Sequence, residues 1–370
     1  MSNTHLLQQL VEGQSLSQQN TENFFTDTFN GNVDPALLAA ALTALKIKGE
    51  TAEEIAGAAI AVRACATKFP KQPSNLADCV GTGGDGANTI NISTTAAILA
   101  AACGLKMAKH GNRSVSSMSG SADLLEALGV NLSMSPATAS ECLAQANICF
   151  LYAPKYHPGF KYAGPVRKAM GVRTLFNILG PLVNPAFPST MLLGVYTPTL
   201  LPIIAQSLLL TGVKHAWVVH GSGLDEIALH GETQIIEIAN GTMHNKIISP
   251  EDFGLARYTL EDIKGGTPKE NALYIKDILK GNGLPAHNAA VIINCAALLY
   301  LHNKAENLKD AAMIAKDVLA TGTAFNTLTK LVNVSNQTQT ITESTVDHTV
   351  VDNTVVNNTV VDNAAVKVEK

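Results

Sequence analysis

The chain has 370 residues and a formal net charge of −4, with 46% apolar and 15% charged residues. This composition is typical of a globular protein with a sizeable core and excludes a wholly disordered chain. The negative charge balance gives no support to nucleic acid as a partner. The apolar run Thr95–Cys103 is far too short to span a bilayer, and the N-terminus lacks the pattern of a signal peptide. We therefore expect a cytoplasmic protein with neither a membrane nor a nucleic acid as partner.

The six cysteines show no Cys-x-x-Cys spacing. A zinc site or a redox motif would favour that spacing, and disulfide frameworks are typical of small secreted chains. We predict reduced, mostly buried thiols, with a zinc or disulfide role as the alternative.

The first seventy residues contain only helical patterns. Asp34-Pro35 combines an N-cap with a proline at the first helical position. Thr51-Ala52-Glu53-Glu54 is a capping box that opens a further helix, which we expect to reach about Lys68. Two prolines then interrupt the pattern, so we expect a helical domain over residues 1–72.

From residue 76 the pattern changes to alternating strands and helices, which predicts a mostly parallel sheet covered by helices. The strand candidates are Leu76–Val80, Met107–Ala108, Ile148–Tyr152, Met191–Val195, Ala216–His220 and Gln234–Ile238. The helical candidates are Thr94–Cys103, Ala122–Leu128, Lys269–Leu279, His287–His302 and Lys309–Ala320. The predicted fold class is α/β, with a small all-helical N-terminal domain and a larger, mostly parallel α/β domain over residues 73–333.

Residues 346–365 form four five-residue units, of which the first is Val346-Asp347-His348-Thr349-Val350. A period of five matches neither a strand nor a helix, and four such units are too small to build a solenoid. We expect a disordered tail over residues 334–370. A β-prone, adhesive segment is the alternative, because valine and threonine favour strands.

Gly81-Thr82-Gly83-Gly84-Asp85-Gly86 lies between a predicted strand and a predicted helix and matches Gly-x-Gly-x-x-Gly, a weak signal by itself. Dinucleotide binding would need an acidic residue about twenty positions later, and Ala101–Lys106 contains none. A purely structural turn is a second alternative. We favour a loop whose backbone amides approach a phosphate or pyrophosphate.

Two further segments supply polar donors near this loop. In Asn91–Thr94, a serine or threonine would serve as the N-cap of the next helix, or would donate to a phosphate or its bound metal. Lys109–Ser117 follows a predicted strand, at the sheet edge where ligands bind, and a solvated basic loop is its alternative. Ser119–Asp123 then opens another helix and adds donors.

Two charged motifs complete the candidates. Asp225-Glu226 closes a glycine loop after a predicted strand. Adjacent acids usually form a solvated surface pair, but this position favours Mg²⁺, which takes few protein ligands beside substrate phosphates. Arg167 lies with Tyr156-His157 in a Gly- and Pro-rich connection. It is either a surface arginine or a planar fork for a carboxylate.

Taken together, these segments resemble the anthranilate phosphoribosyltransferases over roughly residues 5–332. Met118 and Tyr162 stand where that family often has a lysine and a histidine, and we expect this variation to be tolerated with an effect on substrate affinity. The motifs that carry the resemblance are Gly81–Asp85, Asn91–Thr94, Lys109–Arg113, Ser116–Leu128, Val166–Arg173 continuing into Phe176–Pro185, and Leu224–Ile227.

The resemblance implies a step of tryptophan biosynthesis, in which phosphoribosyl pyrophosphate (PRPP) gives its phosphoribosyl group to the amine of anthranilate. It implies hinged domains, helices near 165–184 that join the helical domain, and a homodimer through that domain. It implies two Mg²⁺ ions per active site near Ser93, Asp225 and Glu226, with anthranilate at Gly81, Asn112 and Arg167. The residues implied to bind PRPP are Gly81, Gly84, Asp85, Thr89, Asn91, Ile92, Ser93, Thr94, Lys109, His110, Gly111, Asn112, Arg113, Ser114, Val115, Ser116, Ser117 and Ser121.

Two other functions remain open at this point. A pyrimidine nucleoside phosphorylase would share the fold and the glycine loop, but Val166-Arg167 and Asp225-Glu226 argue against it. A nucleic-acid-binding relative would show a basic excess that this chain lacks. We assign no covalent nucleophile or general base, because the neutral aromatic amine attacks without first losing a proton. Positioning and electrostatic stabilisation should supply most of the rate.

Overall fold

A computed structural model describes residues 2–70, 75–114 and 118–337. The greater part of the expected tail, residues 338–370, lies outside the described residues. So do Val115, Ser116 and Ser117 of the predicted PRPP site.

Within the described residues, the N-terminal part is helical, as predicted: α1 (Asn3–Val11), α2 (Gln18–Phe29), α3 (Pro35–Lys48) and α4 (Ala52–Ala64). Asp34 caps α3 by accepting hydrogen bonds from the first backbone amides of that helix. Thr51 and Glu54 form the predicted capping box at the start of α4. Both helix starts are therefore confirmed.

The end of α4 was predicted wrongly. The helix stops at Ala64 and does not continue to Lys68. The N–H of Thr67 donates to the carbonyl of Tyr156 at 2.7 Å, and its hydroxyl donates to the carbonyl of Lys155 at 3.3 Å. These tertiary hydrogen bonds replace the helical ones, and no local sequence signal announces them.

A seven-stranded sheet follows in the described residues. Its strands are β1 (Leu76–Gly81), β2 (Lys106–Gly111), β3 (Ile148–Tyr152), β4 (Thr190–Gly194), β5 (His215–His220), β6 (Thr233–Ala239) and β7 (Thr242–Ile248). The helices are α5 (Ile92–Ala102), α6 (Ser121–Ala127), α7 (Pro136–Ala146), α8 (Ala153–Tyr156), α9 (Phe160–Met170), α10 (Phe176–Leu179), α11 (Leu201–Leu210), α12 (Pro268–Leu279), α13 (Pro285–Leu301), α14 (Leu308–Ala320) and α15 (Thr323–Ser335).

The strand order is β3-β2-β1-β4-β5-β6-β7. The pairs among β1 to β5 are parallel, and β6 and β7 add an antiparallel hairpin at one edge. The mostly parallel sheet is confirmed, and β7 was not predicted. β2 also continues through Gly111, so Lys109 and His110 lie on the strand and not in the loop that we expected after it.

The sheet separates two apolar cores, because successive side chains of a strand point to opposite faces. Leu192 and Trp217 belong to the core that contains α5 and α13. Met191 and Leu193 belong to the opposite core, which also contains side chains of the N-terminal helices, α9 and α11. The helical bundle therefore packs against one face of the sheet.

All six cysteines, which lie within the described residues, are free thiols, and four of them are buried. This confirms the expectation of reduced, mostly buried cysteines. No helix in the described part of the chain combines the length and the apolar character needed to cross a membrane.

Candidate active site

The candidate site lies at the edge of the sheet where parallel strands end. β1 ends at Gly81, which is paired with Gly194 at the end of β4. A Cβ atom on Gly81 would lie 2.2 Å from Oδ2 of Asp225, and one on Gly194 would lie 1.5 Å from the Asp225 carbonyl oxygen. The two glycines therefore leave the space in which the acidic loop after β5 approaches the glycine loop after β1.

Hydrogen bonds join this acidic loop to two of the predicted phosphate-binding segments. The N–H of Gly83 donates to Oδ2 of Asp225 at 2.6 Å. Oε1 of Glu226 accepts from the N–H of Ser93 at 3.0 Å and from its hydroxyl at 2.8 Å. Both acids are only partly exposed. The solvated surface pair is therefore the wrong alternative.

Burial raises the pKa of Asp225, and the neighbouring carboxylate of Asp85 raises it further. Burial also raises the pKa of Glu226 well above its usual value, and Asp225 adds to this effect. A divalent cation would offset the repulsion among these groups. Within residues 2–70, 75–114 and 118–337, no three His, Cys, Asp or Glu side chains are arranged to hold a metal alone. The donor set, two carboxylates and the Ser93 hydroxyl, fits Mg²⁺ completed by water and substrate oxygens.

The N-cap alternative for Ser93 and Thr94 is also wrong. Helix α5 begins at Ile92 and its N-cap residue is Asn91, so Ser93 and Thr94 lie in the first turn. The Asn91 side chain makes no capping bond. It connects instead to Ser119, two residues before α6: its Nδ2 donates to the Ser119 carbonyl at 2.8 Å, and the Ser119 hydroxyl donates to its Oδ1 at 3.0 Å.

The other half of the predicted PRPP site surrounds the end of β2. The Ser121 hydroxyl donates to the carbonyl of Asn112 at 3.3 Å, and a Cβ on Gly111 would lie 2.2 Å from the Ser121 oxygen. Arg113 pairs with Asp123 at 3.0 Å and with Glu126. The guanidinium of Arg113 is thus already neutralised by α6, so anion binding by this residue would require it to leave these partners.

Lys109 and His110 are buried, which contradicts the solvated basic loop for these two residues. Nζ of Lys109 donates to the carbonyl of Cys79 at 2.6 Å. The Nε2 atoms of His110 and His157 are 3.1 Å apart, and Nδ1 of His110 lies 3.2 Å from the Gly180 carbonyl. Burial lowers the pKa of His157 to about 4 and that of His110 well below its usual value. Both rings are neutral at pH 7.

Arg167 lies on helix α9, so the Gly- and Pro-rich connection around it is helical. Pro165 lies inside α9, and its neighbours Ala163 and Val166 are buried in the core that contains side chains of the N-terminal bundle. The guanidinium carbon of Arg167 lies 5.4 Å from the Phe176 ring centroid. Its partial burial lowers its pKa. Within the described residues, no acid pairs with Arg167, and no hydrogen bond links it to Gly81 or Asn112.

Two residues near the site were not predicted. Nη2 of Arg173 donates to the Gly84 carbonyl at 3.1 Å, and its guanidinium carbon lies 4.6 Å from the Tyr196 ring centroid. Arg173 ends one of the motifs that carry the resemblance, but no sequence signal links it to the glycine loop. Nδ2 of Asn271 donates to Oδ1 of Asn91 at 2.8 Å, although the two residues are 180 positions apart in the sequence. Nothing in the local sequence distinguishes it from an ordinary helical asparagine.

The two departures from the family pattern lie at the surface. Met118 is exposed, and Tyr162 is exposed while its ring approaches Gly31. The expected effect of Met118 and Tyr162 on substrate affinity stays a prediction.

Two family models match the chain and define its class. Residues 4–66 match the model described as "Glycosyl transferase family, helical bundle domain". Residues 73–325 match the model described as "Glycosyl transferase family, a/b domain". The helical part and the sheet with its acidic loop are therefore those of this glycosyl transferase class.

Curated relatives narrow the class. The anthranilate phosphoribosyltransferase of Colwellia psychrerythraea is 71% identical over 341 residues, covering 92% of this chain and 93% of that protein. The enzyme of the same name from Aeromonas salmonicida is 55% identical over 333 residues, covering 90% of this chain and 99% of that protein. The chain belongs to the anthranilate phosphoribosyltransferase family.

Solved structures agree with this placement. The anthranilate phosphoribosyltransferase of Thermus thermophilus aligns with a TM-score of 0.85 at 39% identity, over 90% of this chain and 99% of that one. The Saccharomyces cerevisiae enzyme in complex with PRPP and Mg aligns with a TM-score of 0.82 at 29% identity, over 90% and 97%. The same yeast enzyme is also known in complex with 4-fluoroanthranilate. None of these relatives is named as a nucleoside phosphorylase or a nucleic-acid-binding protein.

Proposed function

We propose that this protein transfers the phosphoribosyl group of PRPP to the amine of anthranilate, giving N-(5-phosphoribosyl)anthranilate and pyrophosphate. The observation that carries the proposal is the meeting of three segments at one sheet edge: the glycine loop, Ser93 and the pair Asp225-Glu226. Backbone amides beside two carboxylates suit a pyrophosphate that arrives with a divalent cation. The yeast relative that binds PRPP and Mg supports the same assignment.

Ser93, Asp225 and Glu226 are the residues that would hold Mg²⁺, and we propose two ions per active site. When bound, Mg²⁺ supplies positive charge to the leaving pyrophosphate. The remaining PRPP contacts are proposed for the set named in the sequence analysis. Its members Gly84, Asp85 and Ser121 adjoin the loop ends described above. The N-terminus of α5 adds the favourable end of a helix dipole for the phosphates.

In the proposed reaction the bond between ribose C1 and the pyrophosphate oxygen breaks, and that oxygen keeps the electron pair. Positive charge then develops on the ribose ring. The amine of anthranilate supplies its lone pair to C1, forming the new C–N bond, and the nitrogen then releases one proton to water. The backbone amides of the glycine loop stabilise the growing negative charge, and the site fixes both reactants in line.

We assign the anthranilate carboxylate to Arg167, with Gly81 and Asn112 beside the ring. A partly buried arginine that pairs with no acid of the described residues is well suited to bind an anion. The aromatic rings of Phe160 and Phe176 lie next to its guanidinium and hold it by cation–π contacts. The yeast relative that binds 4-fluoroanthranilate supports this substrate class.

We further propose a cytoplasmic homodimer that forms through the helical domain. The proposed units are a helical domain over 1–72, joined by helices near 165–184, an α/β domain over 73–333 and a tail. Val11 on α1 and Ile47 on α3 are 71% and 82% exposed, which suits an apolar contact with a second copy. Ile47→Glu should convert the dimer to a monomer in sedimentation velocity, whereas a wild-type monomer would contradict the proposal.

The test of the function is the fluorescence of anthranilate followed over time with PRPP and Mg²⁺. We expect the signal to fall only when all three are present, and omission of each in turn is the control. A parallel assay with a pyrimidine nucleoside and inorganic phosphate tests the phosphorylase alternative. Turnover in that assay, together with a stable anthranilate signal, would overturn the proposal.

A further inference from the structure

Residues 263–265, far away in the sequence, bond to the backbone segment that leads into α5. Thr89 and Lys264 form an antiparallel bridge. The N–H of Ile90 donates to the carbonyl of Ile263 at 3.1 Å, and the N–H of Gly265 donates to the carbonyl of Asn88 at 2.9 Å. The backbone that leads into the proposed phosphate site is therefore held by main-chain bonds to residues 263–265.

Asn271 completes this support with its side chain. It is fully buried in the first turn of α12. Its Nδ2 donates to Oδ1 of Asn91 at 2.8 Å, and its Oδ1 accepts from the N–H of Gly266 at 2.8 Å. A primary amide satisfies both partners at once, because it carries a donor and an acceptor. An aspartate would keep the bond to Gly266 but would place an acceptor against the Asn91 oxygen.

The bonds of Asn91 fix which way its own amide points. Its Oδ1 accepts from Asn271 and from the Ser119 hydroxyl, and one of its two amide hydrogens goes to the Ser119 carbonyl. Oδ1 has then used both of its lone pairs. In the described residues, the second amide hydrogen has no partner, and it is the group left for a ligand. Loss of the Asn271 donor removes one of the three bonds that oppose a flip of this amide.

We propose that Asn271 is a positioning residue for the PRPP site, acting through the side chain of Asn91. This inference rests on the proposed function, since Asn91 belongs to the residues assigned to PRPP. Asn271 is separated from the site by Asn91 and is not itself a catalytic residue. Its effect should therefore appear in PRPP binding and not in the chemical step.

The first test is Asn271→Asp, with Asn288→Asp as the matched control. Asn288 also donates through its amide, to the Gly283 carbonyl at 3.0 Å, but it lies on α13, and no hydrogen bond among the described residues joins its side chain to the proposed site. Asn271→Asp should raise the KM for PRPP about tenfold, as expected for a lost buried hydrogen bond. The kcat and the KM for anthranilate should change less than about twofold. Asn288→Asp should leave all three constants unchanged.

A double-mutant cycle separates positioning from a general structural role. If Asn271 acts through Asn91, then Asn91→Ala combined with Asn271→Ser should weaken PRPP binding no more than Asn91→Ala alone, by titration calorimetry. The serine variant keeps a polar group in the buried space and serves if Asn271→Asp does not fold. Additive losses, or equal rises in both KM values, would overturn the proposal. A wild type without turnover or PRPP binding would overturn the proposed function and the positioning role together.

Discussion

At the scale of single residues, the acidic pair Asp225-Glu226 lowers the stability of the folded protein as the pH rises. The pKa of both Asp225 and Glu226 is raised, so the folded protein holds these protons more tightly than the unfolded chain does. A raised carboxyl pKa means that stability is complete below the unfolded value of about 4 and declines as pH rises through the folded values. At neutral pH the pair therefore destabilises the metal-free protein.

Asp225→Asn combined with Glu226→Gln should raise the melting temperature of the metal-free protein at neutral pH and abolish turnover. The amides remove the buried charge, and they also remove the proposed metal ligands. Differential scanning calorimetry near pH 7 and near pH 4 checks the first effect, which should vanish at the lower pH. If the double variant keeps more than about a tenth of the wild-type rate, a loss below about 1.4 kcal/mol, the metal assignment is wrong.

Arg167→Ala should raise the KM for anthranilate roughly ten- to a hundredfold and leave that for PRPP nearly unchanged. A charge-assisted hydrogen bond contributes about 1.5–3 kcal/mol, which corresponds to that range. Arg167→Lys should restore only part of the loss, because lysine offers a point charge and not a fork. Lys168→Ala, at the exposed neighbouring position of α9, is the control. A rise confined to the PRPP constant would place Arg167 in the phosphate site.

At the scale of elements, two strand ends determine how closely the acidic loop approaches the phosphate loop. Gly194→Ala should lower activity severely, because its Cβ would lie 1.5 Å from the backbone oxygen of Asp225. No side-chain rotation relieves a backbone contact, so the loop must move. Gly164→Ala on α9 is the matched control, since a Cβ there meets nothing within 4 Å. Steady-state rates and Mg²⁺ titration compare the two; equal activity would show that the loop adapts freely.

Local signals explain which elements were predictable. β3 was predicted with its observed bounds, Ile148–Tyr152, because a short buried run next to helical patterns is distinctive. β7 was missed because it is a mostly exposed edge strand with polar residues such as His244 and Asn245. The bonds of Arg173 and Asn271 were missed for a different reason. They join segments far apart in the chain, and no local pattern encodes such a partner.

The same distinction applies to the candidate site. The bonds that Asp225 and Glu226 make to the glycine loop and to Ser93 agree with the resemblance, which placed Mg²⁺ near Ser93, Asp225 and Glu226. The neutral form of the His110–His157 pair could not be predicted from the sequence, because it follows from burial that only the packed fold provides. Motif order therefore predicts the neighbourhood of a site, whereas its electrostatics depend on packing.

At the scale of the whole molecule, the sheet lies between two apolar cores, and α15 packs into one of them. Leu328 and Leu331 of α15 are buried in the core that contains α5 and α7. The helix continues to Ser335, past the boundary that the sequence suggested at residue 333. Residues up to Gln337 form one compact unit. The last described helix is thus part of the fold, and a cut inside it should differ from a cut after it.

Truncation after Gln337 should leave the melting temperature and activity unchanged, whereas truncation after Val334 should lower the melting temperature by a few degrees. The shorter chain loses the buried Ser335 hydroxyl, which accepts from the N–H of Asn131 at 3.1 Å, and the Asn336 amide, which donates to the Gly129 carbonyl at 2.9 Å. Each lost bond is worth about 1 kcal/mol.

Every residue that we assign to the site precedes both cuts. Calorimetry and the anthranilate assay on the two truncated chains check this contrast. A drop of similar size after the longer cut would show that residues 338–370 contribute to the stability of the fold, and equal stability of both chains would show that the end of α15 does not.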